Sequence, residues 1–158
     1  MLFCAKPLST RMSHSYSNNY VHVVYSTKDR KDLIPTKFEK RLYSFIASIA
    51  REHKVPLIAA EGMPNHSHLL FLLPATISLA SAINIFKTNS SRFLHERGLA
   101  FQWQNGYGAF SVSVSQIDGV IAYIRSQPDH HKKMTFEQEF LALLKKAGVP
   151  YDPKYVMG

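Results

Sequence analysis

"GMPNHSHLLFLLP", residues 62–74, decides how the chain is read. Met63-Pro64-Asn65 is a turn signal, and "HSHLLFLL" after it is a strand stopped by Pro74. Upstream, "PLIAAEGM" is a short strand, so the stretch forms a hairpin. Residues i and i+2 of a strand share a face, so His66 and His68 point one way and Ser67 the other. The remaining residues alternate poorly, as expected for a central strand buried on both sides.

The pattern continues outward on both sides. "YVHVVYST", Tyr20 to Thr27, is rich in β-branched and aromatic residues and reads as a strand. Residues 37–53 place Phe38, Leu42, Phe45, Ile46, Ile49 and Ala50 at helical spacing. Ser78 opens a second helix, with Leu79, Ile83, Phe86 and Phe93 on one face, which ends near Gly98. "AFSVSVS" alternates as a strand. Gln116 to Gln127 reads as one helix stopped by Pro128, and Phe136 to Ala147 as a last helix closed by Gly148. The predicted fold is α+β: a ferredoxin-like split β-α-β-β-α-β antiparallel sheet with helices on one face, plus C-terminal helices. That arrangement leaves the second sheet face open, and such faces often take single-stranded nucleic acid.

The 158 residues suffice for one domain with a core, and 46% of them are apolar. Nineteen basic against eleven acidic residues give a net charge of +8, which suits a polyanionic partner. The single cysteine, Cys4, excludes an internal disulfide and a CxxC zinc site, and fits a cytoplasmic location. Residues 1–12 are expected to be a flexible N-terminal extension without a signal peptide, and Met12 is a possible second start. The apolar stretch from Leu69 to Ile85 is broken by Pro74 and by Ser, Thr and Asn, so no membrane partner is expected.

Two imidazoles one strand-step apart, about 6–7 Å between Cα atoms, can converge on one metal ion. An isolated H-x-H is nonetheless common as a chance pair at a strand end. "DGVIAYIRSQPDHHKK" adds Tyr123 and Gln127, four apart and so on one helix face. Tyrosine can serve as a covalent nucleophile and a glutamine oxygen can ligate a hard cation, although both also occur as ordinary packing residues.

Together, the His66-Ser67-His68 strand, the "GYGAFSVSVS" strand and the Tyr123-x-x-x-Gln127 helix resemble the single-tyrosine HUH transposases. These are the small transposases of insertion sequences that move as single-stranded DNA, together with their domesticated REP-associated relatives. "VVYSTKDRK", "IFKTNSSRFL", "FQWQNGYGAF" and the tail "EQEFLALLKKAGVPYD" extend the likeness over nearly all of residues 13–158, read as a single HUH transposase domain. The resemblance implies cleavage of hairpin-containing single-stranded DNA by Tyr123, through a 5′-phosphotyrosine intermediate, and rejoining of strands. It implies Mg2+ or Mn2+ held by His66, His68 and Gln127, and a homodimer with active sites shared between subunits. A domesticated REP-type hairpin nickase and a non-catalytic nucleic-acid-binding module of the same fold are the alternatives. The family usually has a bulky apolar residue between the histidines. Ser67 forgoes about 1–2 kcal/mol of burial there unless its hydroxyl finds a backbone partner. No carboxylate is expected beside the histidines, which argues against a two-metal nuclease.

Candidate DNA contacts are Lys28, Arg30 and Lys31 after the first strand, Lys87, Ser90, Ser91 and Arg92 on the second helix, and Lys132 and Lys133 after the tyrosine helix. Trp103 and Tyr107 either stack bases or anchor the core. His130 and His131 either assist the phosphate or metal or are surface residues.

Overall fold

In the computed structural model, which describes residues 16–158, the hairpin supplies one edge strand and one of the two central strands of the sheet. β2 (Leu57–Met63) turns through Pro64 and Asn65 into β3 (His66–Leu72), with Met63 opposite His66. β1 (Tyr20–Ser26) pairs antiparallel with β3 on one side and with β4 (Gly108–Val112) on the other. The sheet order is β2-β3-β1-β4, the split βαβ order. α1 (Thr36–Glu52) and α2 (Leu79–His95) make the two crossovers. The expected extension at residues 1–12, with Cys4 and Met12, lies outside the described residues.

Alternation along the strands divides the core in two. Val21, Val23, Tyr25, Leu69 and Phe71 face α1 and α2, where they meet Leu42, Ile46, Ile83 and Phe86. Trp103 belongs to this layer: it is buried, packs on Tyr25 at a centroid distance of 4.7 Å and donates to Ser90 Oγ at 2.9 Å. It is a core anchor, whereas Tyr107 stays largely exposed.

The second face is covered rather than open. α3 (Ile117–Arg125) lays Ile117, Val120, Ile121 and Ile124 over Ala59, Leu70 and Val112. The apolar spacing of this helix requires a partner surface, and the sheet supplies it. The single helix expected to run to Gln127 is broken at Ser126 (φ −88°, ψ 9°) into α3 and α4 (Gln127–His130). Pro128 is the cause: it has no N–H for the carbonyl one turn back, and its ring crowds that carbonyl. α5 (Phe136–Lys146) follows, opened by a capping box between Thr135 and Gln138.

Ser67 points to the α1 side, as its strand position requires, and its partner is a side chain. Its Oγ lies 2.9 Å from the Tyr43 hydroxyl, and both residues are buried. Gly62 on β2 makes the room: a Cβ there would collide with the Tyr43 hydroxyl and the His66 carbonyl. Ser67→Val is therefore expected to destabilise the protein by about 1–2 kcal/mol, because it strands the buried Tyr43 hydroxyl. Adding Tyr43→Phe should recover most of that loss in denaturant titrations.

Candidate active site beneath Tyr123

β3 buries both imidazoles completely, with ring centroids 5.1 Å apart. Each ring is engaged at Nδ1 and turns Nε2 inward. His66 Nδ1 lies 2.7 Å from Asn65 Oδ1, and His68 Nδ1 lies 3.0 Å from His22 Nε2. His66 Nε2 is 3.2 Å from Gln127 Oε1. The kink at Ser126 does not cost Gln127 its place, since its side chain is fully buried against the histidines.

The residue that organises the cluster is Glu139 on α5, which sequence reasoning missed. It is 1% exposed, and its carboxylate stands 3.4 Å from His66 Nε2 and 3.3 Å from His68 Nε2. The Tyr123 hydroxyl donates to Glu139 Oε1, Gln127 Nε2 donates to it at 3.0 Å, and His131 Nε2 lies 2.8 Å from Oε2. The expectation that no carboxylate stands beside the histidines is thus overturned by a residue 71 positions downstream of His68, brought in by α5. His131 is also part of the site rather than the surface, 3.0 Å from Gln127 Oε1. His130 packs edge-on against Tyr123 at 5.2 Å, and its Nε2 is buried without a hydrogen bond. The sequence did hold one clue: Glu139 falls among Phe136, Phe140 and Leu143 on the apolar face of its helix.

Burial alone would raise the Glu139 carboxyl. The close approach of the His68 ring, with hydrogen bonds from Tyr123 and Gln127, outweighs it and holds the group well below the usual carboxylate range. His66 is pushed down to about 3, by burial first and then by His68. Burial, then the Glu139 contact, pushes the Tyr123 phenol up. At neutral pH the site is one carboxylate facing a neutral His66 and a protonated phenol.

This donor set fits a divalent cation. His68 Nε2 is buried with no hydrogen-bond partner and aims at the carboxylate. His66, His68 and Glu139 each offer an atom, all within 4.8 Å of one another. The separations of 3.2–3.4 Å around His66 and His68 are close to the edge of an octahedron of oxygen and nitrogen ligands, about 3 Å.

The candidate DNA contacts divide by burial. Ser90 is corrected to a core residue: it is fully buried, bonded to the Phe86 carbonyl and to Trp103. Lys87 is half-buried and its Nζ donates to the carbonyls of Gln104 and Gly106, so it ties down a loop. Arg30, in left-handed backbone at φ 57°, pairs with Glu137 at 3.0 Å and donates to the Met157 carbonyl. Lys28, Lys31, Arg92 and Lys132 project outward in surface ion pairs, Arg92 also donating to Asn89 Oδ1 at 2.9 Å, and Lys133 is exposed. Ser91 is partly buried on α2. Lys132 and Lys133 line a groove with Asn65 and His131 that runs up to the site.

A pH dependence follows from the buried imidazoles. His22, like His66, is pushed down to about 3 by burial and then by His68, against 6.5 ordinarily. Between those values the unfolded chain binds protons that the folded chain does not. Stability is therefore fully present above about pH 6.5 and is lost as the pH falls, by about 1.4 kcal/mol per unit for each histidine. Thermal melts in EDTA should be flat above pH 7 and fall steeply below 6.5.

A family model described as IS200-like transposase matches residues 15–127. The transposases for insertion sequence element IS200 of Salmonella typhimurium and Salmonella typhi are each 25% identical over 96 residues. That match takes in 60% of this chain and 63% of theirs, so the chain spans less than two thirds of these relatives. Among solved structures, a candidate transposase from Deinococcus radiodurans aligns with a TM-score of 0.57 at 20% identity, over 75% of this chain and 98% of that one. A REP-associated tyrosine transposase bound to a REP hairpin aligns with a TM-score of 0.59 at 18% identity, over 78% and 74%. The two structures speak for the fold, and the family model, which runs from before β1 through Gln127, speaks for descent: this chain belongs to the IS200-like transposases.

Proposed function

We propose that residues 13–158 act as one transposase domain that cleaves hairpin-containing single-stranded DNA with Tyr123 and rejoins the strands. The observation that carries this reading is the Tyr123 hydroxyl resting on the buried cluster of His66, His68, Gln127 and Glu139. Tyr123 Oη attacks the scissile phosphorus, and the bond from phosphorus to the 3′ oxygen breaks. This leaves a 5′-phosphotyrosine and a free 3′-hydroxyl. The phenolic hydrogen is already donated to Glu139 in a hydrogen bond, so this carboxylate is the proton acceptor within reach and can return the proton to the departing 3′ oxygen. A second 3′-hydroxyl then reverses the step, and no external energy source is needed because the phosphoester bond is conserved.

His66, His68, Gln127 and Glu139 would hold Mg2+ or Mn2+, and the two imidazoles favour Mn2+. When bound, the cation supplies charge that polarises the scissile phosphate. Exposed Lys28, Lys31, Arg92, Lys132 and Lys133 offer the surface for the backbone of the strand. Hairpin DNA as ligand is supported by the likeness in fold to the REP-associated transposase bound to a REP hairpin, which also keeps a domesticated hairpin nickase as the second reading. Among the described residues no helix is long and apolar enough to cross a membrane.

A two-fold dimer is part of the proposal, since β4 leaves its outer edge unpaired. The resemblance implies sites shared between subunits. Within one chain, however, α3 already lies over its own histidines, with Ile124 packed against Leu70. Sharing would require α3–α5 to leave that surface for the partner's. The geometry therefore favours a site complete in each chain.

Two tests follow. Tyr123→Phe should bind a hairpin oligonucleotide but form no covalent adduct on a denaturing gel. Wild-type cleavage should vanish in EDTA and return with Mn2+, and full activity in EDTA would sink the metal role. Mixing Tyr123→Phe with His68→Ala under subunit exchange should restore no cleavage. Adduct formation on the His68→Ala chain would instead assign the sites to the dimer.

A further inference from the structure

His22 is a buried histidine with no part in the chemistry above. It sits on β1 opposite Leu70 of β3 and Phe110 of β4, 4% exposed. Its ring meets that of His68 edge to edge and nearly coplanar, with a centroid distance of 5.2 Å and an interplanar angle of 23°. It also meets the Tyr123 ring edge-on at 6.0 Å and Phe110 at 6.1 Å. Its Nε2 is 3.0 Å from His68 Nδ1.

Resting on the metal-site reading above, we propose that His22 is a positioning residue that accepts a hydrogen bond from His68 Nδ1–H and so presents His68 Nε2 to the cation. The reason is a hydrogen inventory. A neutral imidazole carries one N–H, and a ligating nitrogen must be the bare one. A cation held between His68 Nε2 and Glu139 needs Nε2 bare, so the His68 hydrogen then belongs on Nδ1, and the acceptor there is His22 Nε2. His22 then carries its own hydrogen on Nδ1. His66 is served in the same way by Asn65 Oδ1, from the adjacent turn. An imidazole acceptor has two advantages beneath His68. It is neutral, so it adds no second negative charge beside Glu139. It is also flat, and a hydrogen bond between two nearly coplanar rings fixes the rotation of the His68 ring.

The test is Mn2+ affinity measured by electron paramagnetic resonance without DNA, beside cleavage. His22→Leu, which removes the acceptor, should weaken Mn2+ binding by about 10–100-fold while circular dichroism stays native. Excess Mn2+ should restore its cleavage. His22→Gln, which returns an acceptor oxygen, should recover most of the affinity. Equal affinity in wild type and folded His22→Leu overturns this inference and leaves the metal site standing. Equal weakness of the Leu and Gln variants shows that shape alone matters and also overturns it. Failure of the wild type to bind Mn2+ overturns the metal reading itself, and this inference with it. The unmutated protein gives an independent check. With Mg2+ bound, 15N NMR should show coupling across the hydrogen bond between the two rings, with the hydrogen on His68 Nδ1. A hydrogen on His22 Nε2, or no coupling, overturns the proposal even where a variant fails to fold.

Discussion

The buried carboxylate of Glu139 is the constraint on which the C-terminal half depends. Removing an ionised carboxylate from water costs several kcal/mol unless hydrogen bonds and opposite charge replace the lost hydration. Here the replacements come from three places at once: Tyr123 on α3, Gln127 on α4 and His131 just after it. None of these elements is long. α3 has nine residues and α4 only four, and a helix of four residues has no stability of its own. The carboxylate therefore does two things with one set of contacts. It gives short helices a reason to close over the sheet, and it sets the Tyr123 hydroxyl beside the imidazoles.

The same arrangement is one that a bound cation would complement. Burial disfavours the phenolate, and the carboxylate against the phenol adds to the effect. Neutral His66 supplies no positive charge to offset it. A divalent ion among the donors would neutralise Glu139 and relieve the penalty on ionising Tyr123. The orphaned Nε2 of His68 points to the same conclusion from a different direction, because a buried polar atom without a partner is costly.

On the other side of the sheet the demands are those of packing. β3 is central and buried on both faces, so each of its side chains has to satisfy a layer. Ser67 would be a defect in the apolar layer, but the Tyr43 hydroxyl reaches it through the gap left by Gly62. Lys87 and Arg30 show the same economy among the cations. Each is drawn into the fold by carbonyls or by Glu137, so the net charge of +8 overstates the charge free to meet a polyanion.

The strand–helix order, the hairpin at Pro64-Asn65, the facing of His66 and His68, and the inward side of α3 were all legible in the sequence. Each follows from periodicity or turn chemistry, which act over a few residues. So was the likeness to a transposase family, because its motifs are local. The kink at Ser126 was half legible: Pro128 announced a stop, but the helix breaks just before Gln127 rather than after it. The roles of Glu139, His22 and His131 were not legible, and neither was the placement of Ser90 in the core. These depend on which residues meet across the sheet and from α5, at separations of 12 to more than 100 positions, where no period carries information. By itself the sequence determined the elements and the pair of histidines. Only the tertiary structure decided what the pair faces, because a buried charge takes its partners from whatever the fold brings within about 3 Å of it.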